Sequence, residues 1–400
     1  MVNSLLGYHS FSIYQKLSAE DNFSLNNDFI GYMRNSNRIK RSPVMNKNGI
    51  TIGTEYTYKQ PTGIRWLIVD MDAGNRFKIY GVKVVITPKV LLEKNYVAIA
   101  TEKDTEQIKT AFNNEARKIS SILGTFDNYS MSRCDYCLNV DLKELSIPCT
   151  STQMMALIKK GNIPIHFTER MVYDITSHRK KSDENSFYLE SGSVVVNCYD
   201  KHTQLILETN HPCLNKNDAD SVIRFEVQCR YPKLYAISKG YKVPSFSMPV
   251  TLAHLTAGKL QALYGDIIAE SHITIPINAL LSHSTSASII NKYFKKIVRA
   301  GDYYTLEKAK RIIQSSEYHP KKKARLVDAL TITSQCRGIH KVKNILKDKK
   351  LIAYKQSLKD LDYLRVNPVT IPRDWNIEYI PNLQNAYYDR VSDMQVEDIN

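Results

Sequence analysis

The chain has no long hydrophobic run. Its longest apolar stretches, such as Val82 to Ile86 interrupted by Lys83, fall far short of the roughly 20 residues that a membrane-spanning helix needs. Its N-terminus shows no basic segment followed by an apolar one, so the sequence predicts a soluble, unsecreted protein with no membrane partner. A cysteine framework is missing too. Seven cysteines, an odd number without regular spacing, suit a reducing cytoplasm better than an oxidising compartment. Cys134 and Cys137 form one CxxC, but no second pair or histidines at ligand spacing follow to complete a zinc site, so they read as strand residues on either side of Asp135. Internal repeats, low-complexity tracts and Walker-type glycine-rich loops are absent as well, and without the last a built-in helicase motor is not expected.

What is present is an ordered composition. With 400 residues, 43 % of them hydrophobic and 24 % charged, the chain can bury a sizeable core in two or three domains. The formal net charge of +15 calls for a polyanionic partner or surface. Between Asn291 and Lys350 lie 17 Lys and Arg against 5 Asp and Glu, so +12 of the whole +15 sits in that segment. A basic, helix-patterned region beside a near-neutral remainder reads as a nucleic-acid grip attached to something else.

The first sixty residues are polar, with weak periodicity, and predict little. From Gly63, Ile64, Trp66 and Ile68 and then Phe77, Ile79 and Val82 to Ile86 give two strands around the turn sequence Asp72-Ala73-Gly74-Asn75. Asp104 with Gln107 reads as a helix N-cap and its partner; Ile108, Phe112, Ala116, Ile119 and Leu123 follow at helical spacing up to Gly124. Strands are predicted over Ser132 to Leu142, Ile163 to Ile175, Ser186 to Leu189, Val194 to Tyr199 and Val222 to Arg230, with a short helix capped by Thr150. Beyond Pro249 the pattern turns helical: Thr251 to Tyr264, Ile289 to Val298, Leu306 to Ile313, Lys321 to Thr333. The expected fold is α+β, an antiparallel sheet with helices packed on one side, followed by an α-helical domain, with the boundary near residue 245.

Three strands concentrate reactive side chains on one parity. Arg224, Glu226, Gln228 and Arg230 share a face, opposite Phe225, Val227 and Cys229; Arg133, Asp135, Cys137, Asn139 and Asp141 share another; Asn197, Tyr199 and Lys201 a third. A phenol with its usual pKa of about 10 is a poor nucleophile, and a nearby cation or metal lowers that barrier. Phosphodiester cleavage needs such a nucleophile, a divalent ion and cations to hold the strand. Each piece also has a plain structural reading: Tyr199 as a sheet tyrosine, Glu226 as the partner of a cross-strand arginine, Asp141 as a turn residue.

In order and spacing, Ser132-Arg133-Cys134-Asp135, Val196-Asn197-Cys198-Tyr199-Asp200-Lys201 and Val222-Ile223-Arg224-Phe225-Glu226-Val227 resemble the strand motifs of the gene-II replication-initiator family of filamentous phages. Phe77-Lys78-Ile79-Tyr80 with Val84 to Val90, Tyr293-Phe294-Lys295-Lys296 and Asp374-Trp375 extend the resemblance over roughly residues 60 to 380. It implies a rolling-circle initiator that nicks and rejoins one DNA strand at an origin. Tyr199 matches the tyrosine that becomes joined to the 5′ phosphate, with Lys201 beside it, and Asp135 and Glu226 match metal-site positions. Arg133, Arg224 and Arg230, with Lys321, Lys322, Lys323, Arg325, Arg337, Lys341 and Lys343, are the expected DNA contacts. Many rolling-circle enzymes hold their metal through two histidines flanking one apolar residue, a pattern found at none of the ten histidines here, so the ion would rest mainly on carboxylates, as suits Mg²⁺ or Mn²⁺. His166 is a further candidate ligand, though a satisfied sheet histidine is its plainer reading. Implied partners are single-stranded and duplex origin DNA and a bacterial host's helicase, single-strand binding protein and polymerase.

Two other functions fit the same residues. A relaxase or mobilisation protein would run this chemistry on a transfer origin, and a non-catalytic DNA-binding repressor would use Tyr199 and Glu226 structurally. A tyrosine recombinase would need a His-x-x-Arg pair, which the sequence lacks. In the basic region, a helix-turn-helix with Ser334 to Lys343 as its reading segment competes with a bundle that only neutralises phosphates, because charge alone does not specify base readout.

Overall fold

Period-two runs of the kind seen between Gly63 and Ile86 turn out to be more numerous than the sequence pattern suggests, because several are hidden by bulges and by polar faces. A computed structural model describes residues 5–46, 48–72, 78–95, 97–174, 179–181, 186–207, 219–238 and 277–397. The strands are β1 (Leu5–Lys16), β2 (Ile39–Met45), β3 (Thr51–Tyr58), β4 (Ile64–Asp72), β5 (Lys78–Ile86), β6 (Ser130–Asp141), β7 (Thr168–Glu169), β8 (Val172–Asp174), β9 (Arg179–Lys181), β10 (Ser186–Glu190), β11 (Val194–Asp200), β12 (Val222–Arg230), β13 (Tyr303–Tyr304) and β14 (Tyr379–Ile380). Ten of them form one sheet in the order β2-β3-β4-β5-β1-β6-β12-β11-β10-β7. Every pairing in it is antiparallel. The N-terminal strand β1 lies in the middle of the sheet.

The helices are α1 (Ala19–Ser36), α2 (Pro88–Leu91), α3 (Thr105–Ile119), α4 (Ser151–Ile158), α5 (Lys201–Leu207), α6 (Tyr231–Ser238), α7 (Ile277–Leu280), α8 (His283–Ile297), α9 (Leu306–Ser315), α10 (Pro320–Gln335), α11 (Ile339–Ile345), α12 (Asp348–Tyr363) and α13 (Leu383–Glu397). Most sheet-packing helices cover one face, where they share a core with the apolar parity of the strands. Helix α1 starts at Ser18, whose Oγ accepts from the Asp21 amide at 2.9 Å. One turn apart on it, Leu25 and Phe29 are fully buried, and the Phe29 ring stacks on Tyr56 at 4.5 Å. Phe112 of α3 meets Trp66 at 5.5 Å, and Phe294 of α8 meets Phe225 of β12 at 5.0 Å. Burying each such side chain stabilises the fold by about 1.5–3 kcal/mol. Helix α8 lies across β1, β6 and β12, so the helical C-terminal region braces the strands that carry the reactive residues.

The architecture is α+β, with a sheet larger than the sequence pattern predicts. The first sixty residues, for which little was predicted, supply β1, α1, β2 and β3. The single strand expected over Ile163 to Ile175 is a turn followed by the short β7 and β8. Asp104 does not cap α3 with its own side chain; it closes a capping box with Thr101 one turn earlier. Thr150 and Gln153 form the expected box at α4. Helix α5 departs from one-sided packing, with Leu205 sitting against Val97, Ala219 and Val222 at the end of the opposite face. The expected helix over Thr251 to Tyr264, the boundary near residue 245 and the turn residues Ala73 to Asn75 lie outside the described residues.

Candidate active site

The face of the sheet away from the main core carries the polar parity of four adjacent strands, β1, β6, β12 and β11. Register fixes who faces whom: Tyr199 pairs with Arg224, Asn197 with Glu226, Arg224 with Asn139, Glu226 with Cys137, and Gln228 with Asp135. The alternation read from the sequence therefore gathers Tyr199, Glu226 and Asp135 at one place. The Tyr199 hydroxyl donates to Glu226 Oε2 at 3.2 Å. Asp135 accepts from Ser10 Oγ at 2.6 Å and from Arg133 Nε at 2.8 Å, and a second Arg133 nitrogen pairs with its other oxygen.

Strand β1 adds the residue that the sequence reading missed. Gly7 pairs with Cys137, Tyr8 with Tyr136 and Ser10 with Asp135, leaving His9 as the extra residue of a β-bulge. A bulge sets two consecutive residues against one and re-aims a side chain, and His9 joins Ser10 beside the acidic pair. His9 Nδ1 lies 3.9 Å from Glu226 Oε2. One ligand atom each from His9, Asp135 and Glu226 falls within 4.8 Å of the others. The signal was in the sequence: buried Leu6 and Tyr8 are even, Phe11 and Ile13 odd, and that switch of parity marks a bulge between them. Gly7 makes room here, since a Cβ on it would stand 2.0 Å from the Ala100 carbonyl oxygen. The segment it admits brings the Val97 carbonyl to Asn139 Nδ2 at 2.7 Å and Arg224 Nη2 at 2.8 Å.

The electrostatics suit a cation. Burial, reinforced by the charges of Arg224, Lys89, Lys201 and Arg133, holds the His9 imidazole well below its usual range, so that it is neutral and able to ligate. Burial and the neighbouring Asp135 push Glu226 up to about 6, a strain that a bound cation relieves. One imidazole and two carboxylates form a donor set for Mg²⁺ or Mn²⁺, and among the described residues these three could hold the ion. Around them stand cations removed from water: Arg224 is fully buried, Lys201 1 % and Lys89 7 % exposed. Arg224 Nε donates to Asn139 Oδ1 at 2.7 Å, while its Nη1 has no hydrogen-bond partner among the described residues. Burial and then Glu226 raise the Tyr199 phenol well above its usual range, with Arg224 opposing. Tyr199 is therefore a neutral phenol whose proton already points at a carboxylate.

The remaining predicted residues are dispersed. Lys201 is not on the strand with Tyr199 but opens α5; its Nζ lies 5.9 Å from the Tyr199 ring centre and donates to Gln204 at 2.6 Å. Arg230 pairs with Glu190 at 2.6 Å near the edge of the sheet. His166 lies in an exposed turn and is not in the ligand cluster. Asp141 is the last residue of β6, and its carboxylate caps the turn that follows, accepting from the Lys143 amide at 3.0 Å. Cys134 is in the core while Cys137 shares the site face, so the two cannot converge on one ion. In the helical region, Lys322 and Arg325 both pair with Asp360, Lys323 donates to the Gln314 carbonyl at 2.7 Å, and Lys343 to Asn162 Oδ1 at 2.8 Å. Lys321, Arg337 and Lys341 are exposed. Ser334 to Lys343 spans the end of α10, a tight turn and α11, whose Ile339 and Val342 are buried in the main core.

No family model matches the chain, and no curated protein matches it. Among solved structures, one described as "Structure of Rolling Circle Replication Initiator Protein from Geobacillus stearothermophilus" is similar over 66 % of this chain and 96 % of that one, at 11 % identity and a TM-score of 0.27. A likeness of that strength carries no argument, and the functional reading rests on the site. No helix among the described residues is long and apolar enough to cross a membrane.

Proposed function

We propose that the protein is a metal-dependent, single-strand DNA nicking and rejoining enzyme of the rolling-circle initiator kind, with Tyr199 as nucleophile. The observation that carries this reading is the hydrogen bond from the Tyr199 hydroxyl to Glu226, a member of the His9, Asp135 and Glu226 cluster on adjacent central strands. The Tyr199 oxygen attacks a backbone phosphorus while its proton moves toward Glu226. The bond from phosphorus to the 3′ oxygen breaks, that oxygen leaves as a hydroxyl on taking up a proton, and the 5′ phosphate stays on the tyrosine. Attack by a free 3′ hydroxyl reverses the step and rejoins the strand. A divalent ion on His9, Asp135 and Glu226 would supply charge neutralisation at the phosphate oxygens. Arg224, Lys201 and Lys89 lower the cost of bringing a phosphate to this buried place and of developing negative charge on the phenol oxygen. Arg133 holds Asp135 in position. Origin recognition, and reliance on a host helicase, single-strand binding protein and polymerase, belong to the same proposal.

The test is covalent capture. The protein is incubated with a labelled pool of single-stranded oligonucleotides and Mn²⁺, and SDS-resistant adducts are compared between wild type and Tyr199→Phe. An adduct present in the first and absent in the second is expected. An adduct that survives the substitution moves the nucleophile elsewhere, and strand binding without any adduct leaves the repressor reading.

A further inference from the structure

A second basic site lies where the helical region meets the sheet-bearing half. A cavity of about 710 Å³ is lined by Lys160, Thr333, Ser334, Arg337, Thr370 and Arg373, among others. Its construction is specific. The turn after α10 is closed by the Gly338 amide on the Thr333 carbonyl at 3.0 Å and the Arg337 amide on the Ser334 carbonyl at 3.1 Å, a Schellman motif. The Ile339 amide then donates to the Lys160 carbonyl at 2.9 Å, fastening the turn onto the segment after α4. In that motif the left-handed position is normally glycine, because a Cβ there is strained. Here it is Arg337, with φ of 57°.

Arg337 lines the cavity together with Asp374 and Lys160, which is half-buried and repelled by Arg337 and Lys341, with Asp374 as the opposing charge. Arg373 adds a third cation, tethered to Glu307 at 3.3 Å. Cations gathered around a nucleotide-sized space are relieved by an anion. We propose that this cavity binds a phosphate ester, that of a DNA strand, through Arg337 and Lys160. The assignment of the phosphate to DNA rests on the nickase reading; the phosphate site itself does not.

The experiment uses the full chain in EDTA, so that no strand is cut, with a short labelled single strand and with inorganic pyrophosphate as probes. Arg337→Gly and Lys160→Gln should each weaken strand binding roughly tenfold and lower the salt slope by about 0.7. Arg337→Gly should keep or raise the melting temperature, since glycine suits the cap, and this separates lost binding from lost folding. A wild-type strand affinity that falls in both variants, with no saturable pyrophosphate binding, assigns the site to a strand phosphate. Saturable pyrophosphate binding that both variants lose, with strand affinity unchanged, assigns it to a free phosphate ester. Wild-type binding of both probes by both variants overturns the proposal. None of these readings depends on adduct formation, so failure of the Tyr199 assignment leaves them intact.

Discussion

The centre of the sheet and the basic helical region use charge in opposite ways. At the centre, buried cations are arranged around two carboxylates and a phenol, with one arginine nitrogen left without a hydrogen-bond partner among the described residues. In the helical region, where +12 of the net charge resides, several of the cations are engaged by the protein itself. Lys322 and Arg325 share Asp360, which is 7 % exposed, and Lys343 is spent on Asn162. Composition locates charge along the chain but not in space. Strand parity does place side chains in space, and there the reactive set could be read.

The sharpest way to break this contrast is Tyr199→Phe. Losing a covalent nucleophile should reduce adduct formation by at least about a thousandfold, while removing only one hydrogen bond, so the melting temperature should change little. A fall in both together would make Tyr199 a structural tyrosine. Next is Glu226→Gln, read by thermal melting in EDTA. The native carboxyl titrates at about 6, above its ordinary value of 4.5, so the wild type loses stability as pH rises through that window. The glutamine variant does not, and at pH 8 it should be more stable by about 2 kcal/mol, with the advantage gone at pH 4. Added Mn²⁺ should raise the melting temperature of the wild type more than that of the variant. An advantage independent of pH would deny the crowding of Glu226 by Asp135.

How much was legible follows from the same physics. Asp135, Tyr199 and Glu226 could be placed on common faces because β6, β11 and β12 keep strict alternation through the site. His9 was missed, since a bulge breaks the alternation at that residue and polar Ser10 and Ser12 blur the switch of parity that marks it. Lys201 was given a strand position because the sequence does not mark where β11 yields to α5. The central place of β1 depends on pairing with β5 and β6, at separations in sequence that no local pattern encodes. Lys89 was invisible for a related reason: a lysine beside Pro88 reads as an exposed turn until tertiary packing buries it.

Smaller effects sharpen the other side of the comparison. Asp360→Asn leaves Lys322 and Arg325 without their shared acid and should cost about 1–2 kcal/mol, less than a fully buried pair, because both cations keep part of their surface in water. Chemical denaturation checks it, and no loss would mean the two cations are solvated and available to DNA after all.

The smallest and most discriminating change is Lys321→Ala. Lys321, Lys322 and Lys323 occupy the first turn of α10, which has no acidic residue, although the positive end of the helix dipole disfavours cations there. Lys322 and Lys323 have partners inside the protein; Lys321 forms no ion pair among the described residues. If the exposed cation is there for a polyanion, Lys321→Ala should raise stability by a few tenths of a kcal/mol and lower the salt slope of strand binding by about 0.7. Lys323→Ala, which gives up a bond to a backbone carbonyl, should lower stability and leave the slope alone. The reverse pattern would show that charge in this helix serves the fold, and would move the DNA grip to the cavity beside Arg337.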